Sequence, residues 1–129
     1  MKSQILALLS VVVFVLAAAG LTSAHHGTAE FDSTKPTTLK GTVTEFVWSN
    51  PHGSVDLNVN DVKGRVEKWH GYLTSPNWLA RAGWSKNTLK PGDEVKLIGR
   101  PSKFGGNLLK VTKVQLASGQ ELSVGGVEN

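Results

Sequence analysis

The sequence predicts an all-β domain with one short helix, in which five or six strands form a small closed barrel. Three observations support this prediction. Runs rich in β-branched and aromatic residues recur between turn signals, one short helix is signalled after the third run, and the alternation slips in the first and last long runs. Such slips indicate bulges that let a sheet bend and close. This order of elements is that of an OB-like β-barrel, and a small open sandwich is the competing arrangement.

The strands are predicted from alternation and from the turn residues that bound them. The first run slips in phase near Glu45 and ends at Asn50-Pro51, where proline cannot continue a ladder. The slip in the fifth run lies near Thr112-Lys113, after a hairpin closed by glycines. The predicted strands are residues 39–48, 54–59, 65–73, 94–99 and 108–116, with a last short strand at 121–124.

The hairpin between the second and third strands decides which side chains share a face. If its turn centres near Val62, Trp69 lies opposite Val55, and Tyr72 lies opposite His52. On that register His52 and His70 are diagonal neighbours on the outer face, and a slip of one residue would undo the arrangement. The side chains predicted to face inward are Val55, Leu57, Trp69 and Leu73.

The short helix is predicted from its start and stop signals. Ser75 is placed as N-cap, Pro76 at the first helical position and Gly83 just past the end. The predicted buried side of this helix consists of Trp78, Leu79 and Ala82.

The first residues have the pattern of a secretory signal peptide. Lys2 precedes an apolar run over 5–19, and small residues precede a junction after Ala24. An uncleaved anchor helix is the alternative, because the run is close to the shortest that spans a bilayer. Cleavage after Ala24 predicts a mature chain that begins His25-His26, is periplasmic and keeps no integral membrane segment. A cut after Ser23 would add one alanine before them.

One domain remains after the leader. Removing 24 of the 129 residues leaves 105, which suits a single small domain. We assign 1–24 to the signal peptide, 25–37 to an extended lead-in anchored by Phe31, 38–124 to the barrel and 125–129 to a frayed end. The chain has no cysteine, so an exported domain must rely on its core alone. The net charge of +4 does not indicate a nucleic acid partner.

Histidines suggest a metal site. A terminal His25 offers its α-amine and imidazole to one ion, and His26 adds a third nitrogen. Copper and zinc both favour imidazole ligands, so the sequence predicts a transition-metal site, with Cu(II) first and Zn second. His52 and His70 complete the predicted set if they share the outer face. The alternative for each histidine is a solvated residue with no ligand role.

A second prediction places a ligand groove at the rim of the barrel. Trp48, Asn50 and Tyr72 lie near the end of the first strand and on the third, where OB-like barrels bind extended polymers. With His52 and His70 they are predicted to line a groove for a glycan, a peptide or another exported polymer. Packing of tryptophan at the core and rim explains the same pattern without a ligand.

No motif indicates an enzyme. The sequence has no Gly-x-Ser-x-Gly, His-Glu-x-x-His, phosphate-binding glycine loop or thiol, and no two carboxylates are paired by their spacing. The prediction is therefore a non-enzymatic binding module, with a structural module that contacts another envelope protein as the alternative.

Several segments resemble one family. They are His25-His26, Phe31-Asp32, Lys35-Pro36, Leu39-Lys40-Gly41-Thr42-Val43, Trp48-Ser49-Asn50-Pro51-His52, Pro76-Asn77-Trp78-Leu79, Gly83-Trp84 and Leu89-Lys90-Pro91-Gly92-Asp93-Glu94-Val95. In these the chain resembles small exported bacterial proteins known only as a domain of unknown function (DUF6152). The resemblance covers nearly all of the mature chain and implies a Gram-negative envelope and a small β-rich fold. It implies no activity. Gly27-Thr28 stands where members commonly carry Ser or Thr after the two histidines.

Overall fold

Six strands and one short helix make up the described part of the chain. The computed structural model describes residues 30–125, so the predicted signal peptide, His25, His26 and residues 126–129 lie outside it. The elements are β1 (Thr37–Val47), β2 (Ser54–Asn60), β3 (Val66–Tyr72), α1 (Pro76–Arg81), β4 (Glu94–Pro101), β5 (Leu108–Leu116) and β6 (Glu121–Ser123).

The strands close into a barrel. Their order in the sheet is β3-β2-β1-β4-β5-β6, and β3 also pairs with β5. That last pairing is parallel and joins His70 to Leu108, Gly71 to Leu109 and Tyr72 to Lys110. The first five strands therefore form a closed barrel, while β6 extends the sheet from β5. The predicted OB-like barrel is confirmed.

Two bulges let the strands bend around the barrel. In β1, Val43 pairs with Leu57 but Glu45 pairs with Asp56, so Thr44 is the extra residue. In β5, Val111 and Lys113 pair with consecutive residues of β4, which makes Thr112 the extra residue. Both predicted slips in phase are confirmed at these positions. The bulges increase local twist, and the twist is what allows β1 to pair with two different strands along its length.

Side chains from the inner faces of the strands form the core. Leu57, Leu97 and Leu109 are fully buried, and no polar or charged side chain among residues 30–125 is classed as buried. Trp84 is 4% exposed, and its indole N–H donates to the Ser123 carbonyl at 2.7 Å. This hydrogen bond satisfies the polar atom of a buried tryptophan and ties the short last strand to the segment after α1.

The helix begins and ends where the sequence predicts, but it buries fewer residues. Pro76 opens α1 and Gly83 follows it with φ of 92°, although the Ser75 side chain makes no capping hydrogen bond. Leu79 is fully buried, whereas Trp78 is 40% exposed and stacks with Arg81 at 4.9 Å. The prediction that Trp78 is buried is wrong, because a helix of six residues presents only one narrow stripe to the core. Within residues 30–125 no helix has the length and apolar character needed to cross a bilayer.

The predicted register of the β2–β3 hairpin is wrong by two residues. Val55 lies opposite Gly71 rather than Trp69, and Tyr72 lies opposite Ser54 rather than His52. A shift of two preserves the faces, so Val55, Leu57 and Leu73 are buried as predicted, and Trp69 packs partly buried against them. The shift does separate His52 from His70. His70 pairs with Asp56, and His52 lies in the exposed turn before β2 instead of being its diagonal neighbour.

Phe31 anchors the described end of the lead-in to the barrel. Phe31 is 6% exposed and forms an isolated bridge with Ser102, just after β4. Its neighbours extend this contact, because the amide of Asp32 donates to the Pro101 carbonyl and the amide of Lys103 donates to the Glu30 carbonyl, both at 2.9 Å. The chain therefore enters the barrel beside the β4–β5 hairpin.

Gly99 is a position where we expect any side chain to destabilise the barrel. A Cβ at Gly99 would overlap the Lys110 carbonyl at the β5 bulge. We predict that Gly99→Ala lowers the free energy of unfolding by about 1–3 kcal/mol, as overpacking usually does. Urea denaturation measures this. Lys96→Ala, an exposed position on the same strand, should change stability by less than about 0.5 kcal/mol. Equal stability of the Gly99→Ala and wild-type proteins would contradict this packing.

Asp61 makes the β2–β3 hairpin sensitive to acid. Its carboxylate accepts hydrogen bonds from the amides of Arg65 and Lys63 at 2.8 Å and from the Arg65 Nε at 2.7 Å. The bonds from the Arg65 amide and side chain, and then that from the Lys63 amide, lower the pKa of Asp61 below 3.8. A lowered pKa stabilises the fold above the unfolded-state pKa, and this contribution is lost as pH falls through the folded-state pKa.

We therefore expect Asp61→Ala to be less stable than the wild type at pH 7, with a difference that narrows below about pH 4. Urea denaturation at pH 7, 5 and 3 tests this. Lys63→Ala changes the same turn but removes no carboxylate, so its difference from the wild type should not narrow in the same way. A pH-independent deficit for Asp61→Ala would show that the carboxylate does not act through its charge.

Candidate functional site

A groove crosses the outer face of β1, β2 and β3. It has a volume of about 1050 Å³ and extends from the segment before β4 to the start of β5. We call it the β2–β3 groove. The lining residues of β2 alternate along the strand, whereas β1 and β3 each contribute three consecutive residues, so Phe46 and Trp69 line the groove beside the outward-facing side chains. The polar and charged lining includes Thr44, Glu45, Asp56, Asn58, Lys68, His70, Lys86 and Asn107.

An aspartate and a histidine form a close pair at the centre of this groove. Asp56 and His70 lie opposite each other on β2 and β3. The His70 Nδ1 is 2.5 Å from the Asp56 Oδ1, and the two side chains are 36% and 39% exposed. A carboxylate at Nδ1 fixes both the orientation and the tautomer of an imidazole. In neutral His70 the Nδ1–H donates to Asp56, and the Nε2 lone pair is left available to a ligand.

Aromatic rings connect this pair to the lead-in. Tyr72 meets His70 edge to face with ring centroids 4.6 Å apart, and on its other side it meets Phe31 at 5.9 Å. The rings of Phe31 and His70 are therefore separated by no more than the sum of these two distances. The contact places Phe31, the buried residue of the lead-in, beside the Tyr72–His70 pair.

The charges of the groove are only partly paired. No ion pair joins Lys68 or Lys86 to an acidic side chain within residues 30–125. Glu45 lies two strands away from β3, on the far side of Asp56, so it is roughly 10 Å from the third strand. Asn58 also has a buried Oδ1 that accepts no hydrogen bond from the described chain. Around Lys68 the groove therefore presents a positive charge with no acidic partner.

The residues predicted as ligand contacts are spread over the rim rather than gathered in the groove. Trp48 is half-buried against the core and meets Phe46 at 6.2 Å. Asn50 and His52 are exposed in the turn around the cis Asn50–Pro51 peptide. Tyr72 lies between Phe31 and His70. Of the predicted site residues that fall within 30–125, His70 is the one that lines the groove.

No metal site is complete in the described part of the molecule. Residues 30–125 contain no group of three or more His, Cys, Asp or Glu side chains placed to hold an ion. His25 and His26 lie outside that range, so the predicted terminal ligands stay a prediction. His70 is the described histidine whose second nitrogen is oriented by a carboxylate.

Asp56 is the functional candidate that sequence reasoning missed. It alternates with apolar residues in β2 and reads as an ordinary solvated position. The correct hairpin register would have revealed it, since a shift of two residues from the predicted pairing places Asp56 opposite His70. Lys68 and Asn107 were missed for a second reason, because their neighbourhood depends on where β3 meets β5.

We predict that Asp56 sets the tautomer of His70. At a pH where the ring is neutral, wild-type His70 should carry its proton on Nδ1, and Asp56→Ala should shift the population towards the Nε2–H form. Long-range ¹H–¹⁵N spectra of the imidazole rings measure both. His52 in the same spectra is the internal control and should not change. An unchanged His70 spectrum in Asp56→Ala would contradict the Asp56–His70 hydrogen bond.

Comparison with known proteins identifies the family of this chain. Residues 12–109 match the model of a family of unknown function, DUF6152. No curated protein matches the chain. The match covers well over half of the sequence, including β1 to β4 and the Asp56–His70 pair. The chain therefore belongs to the DUF6152 family of unknown function.

Proposed function

We propose that this protein is an exported, periplasmic and non-enzymatic binding module that holds a transition metal, with Cu(II) as its ion. In the proposed site the α-amine and imidazole of His25 form a chelate, His26 is a further donor, and His70 provides Nε2 from the barrel. The observation that carries the proposal is the 2.5 Å contact between the His70 Nδ1 and Asp56.

The Asp56–His70 pair supports the proposal through a general feature of metal sites. Histidine ligands usually donate their second N–H to a carboxylate or carbonyl, which orients the ring and raises its basicity. Here the carboxylate is already at Nδ1 and the ring is 36% exposed, so an ion can approach Nε2 from the groove. His52 has no such partner within the described residues and lies in the turn before β2, so we leave it out of the proposed site.

The position of the lead-in supports the participation of the mature amino terminus. Phe31 is fixed against Tyr72, which in turn contacts His70. His25 is six residues before Phe31, and six extended residues span at most about 20 Å. The terminal nitrogens are therefore within reach of His70 Nε2. The chemistry is suitable, since three nitrogen donors favour copper over the harder divalent ions.

Copper titration of the mature chain tests the proposal. We expect one Cu(II) per protein starting at His25, with an affinity that falls in acid, because only a neutral imidazole can bind a metal ion. Asp56→Asn should weaken binding about tenfold to a hundredfold, as loss of a supporting carboxylate usually does. His70→Gln should weaken binding and remove a nitrogen from the electron paramagnetic resonance spectrum. His52→Ala is the matched control and should leave both unchanged.

The outcomes separate the parts of the proposal. Loss of binding in His25→Ala but not in His70→Gln would place the ion on the terminus alone. Unchanged affinity in His25→Ala would overturn the terminal chelate. Tighter binding of Zn(II) than of Cu(II) would overturn the choice of ion.

A further inference from the structure

The third strand has an edge that is paired over only part of its length. Strand β3 pairs with β2 along its whole length but with β5 only from His70 to Tyr72. The amide of His70 donates to the Asn107 carbonyl at 2.9 Å, so His70 directs its backbone groups towards β5. Alternate residues of a strand point the same way. Val66 and Lys68 therefore present their N–H and C=O groups along the same edge.

These backbone groups have no partner in the described chain. β5 begins at Leu108, and its pairing with β3 begins at His70, so the pairing does not extend to Val66 or Lys68. No hydrogen bond from residues 30–125 to the Val66 or Lys68 backbone is found on this side. The pairing of β2 with β3 shows no bulge, so the edge is regular and continues the line of β5. Such an edge is a template for one more strand.

The surroundings of the edge favour a short extended segment. Val66 is 62% exposed and lies on the outer face, next to the edge. Trp69 lines the groove and is only partly covered by the core. An added strand would cover part of both side chains while its backbone bonds to Lys68. The regular edge and the two partly covered apolar side chains therefore lie together within residues 66–69 of β3.

The charges at this edge distinguish between possible occupants. Lys68 points outward and has no acidic partner within the described chain, while Glu67 points to the other face and accepts a long hydrogen bond from the Trp69 indole at 3.4 Å. Antiparallel pairing of two copies centred on either residue would bring like charges opposite each other, which disfavours a second copy. A peptide with an acidic residue beside Lys68 makes a favourable cross-strand pair instead.

We propose that the β3 edge at Val66–Lys68 binds an extended acidic peptide segment of an exported partner by strand addition. The segment lies in line with β5, exchanges backbone hydrogen bonds with Lys68, and places an Asp or Glu side chain beside the Lys68 ammonium. This proposal uses backbone groups and Lys68, so it does not depend on metal binding at His70.

The test is titration of the metal-free mature protein, in the presence of a chelator, with acetylated and amidated peptides of sequence Thr-Val-X-Val-Thr. X is Glu, Ser or Lys, and a further Glu peptide carries N-methyl groups on the backbone amides that face the protein. The ¹⁵N-labelled protein reports which amides shift. We expect the Glu peptide to move the Val66 and Lys68 signals and to slow the hydrogen exchange of the Lys68 amide. The Ser and Lys peptides should bind progressively more weakly, and the N-methylated peptide should not bind.

Two variants make the test specific. Lys68→Gln keeps the backbone and should weaken the Glu peptide about twofold to fivefold, the range of an exposed charge pair. Lys68→Pro removes the free N–H while leaving the ladder with β2 in place, because Lys68 and Asn58 form a pair that exchanges no hydrogen bonds. It should abolish binding. Lys96→Gln, on the outer face of β4, is the control and should bind normally.

Several outcomes would overturn the proposal. One is that the Glu peptide at millimolar concentration shifts no amide signal. Another is that the N-methylated peptide binds as well as the unmodified Glu peptide. A third is that the shifted amides lie in β6 instead of β3. Broadening of the Val66 and Lys68 signals with protein concentration alone would identify a second copy as the occupant and would equally overturn it. If Lys68→Pro does not fold, the Lys68→Gln variant and the N-methylated peptide still decide the question.

Discussion

The parallel contact between β3 and β5 is the constraint on which the rest of the structure depends. It joins only three residue pairs, yet it converts a six-stranded sheet into a barrel with an interior. The interior must be sufficient by itself, since the chain has no cysteine that could cross-link the fold. Close approach of the strands is possible because Gly71 sits at this contact, where a Cβ would lie 2.9 Å from a methyl group of Val111.

The closure also creates the candidate site. His70 uses its backbone to reach Asn107 across the β3–β5 contact and its side chain to reach Asp56 across the β2–β3 contact. The two proposals use these different parts of the same neighbourhood. The metal proposal uses the imidazole nitrogen that Asp56 leaves available, and the peptide proposal uses the backbone edge that β5 leaves unpaired. The short β3–β5 contact therefore positions His70 and also leaves the edge of β3 at Val66–Lys68 accessible.

The sequence predicted those features that depend on local chemistry. The bulges at Thr44 and Thr112 are visible as breaks in alternation, and α1 is visible from Pro76 and Gly83 because cap signals act within a few residues. The faces of β2 and β3 were also predictable, since side-chain alternation survives a register shift of two.

Features that depend on distant contacts could not be predicted in the same way. The register of the hairpin follows from the hydrogen bonds of Asp61 within the turn, and an error there hid the Asp56–His70 pair. Trp78 and Trp84 are equally apolar in the sequence. Trp84 is buried where its indole N–H reaches the Ser123 carbonyl of β6, a partner that is distant in the sequence, whereas Trp78 lies on the exposed side of the short helix. The contribution of His25 and His26 depends on residues beyond the described range.

The double role of His70 links occupancy of the groove to the integrity of the barrel. A molecule that binds the folded protein but not the unfolded chain raises the free energy of unfolding. Once its concentration exceeds the dissociation constant, this increase grows with the logarithm of their ratio. Because His70 belongs to the strand contact that closes the barrel, such a molecule would stabilise that contact directly. For a protein with the proposed function, the lifetime would then depend on the supply of the ligand, and the unliganded form would be more exposed to proteolysis.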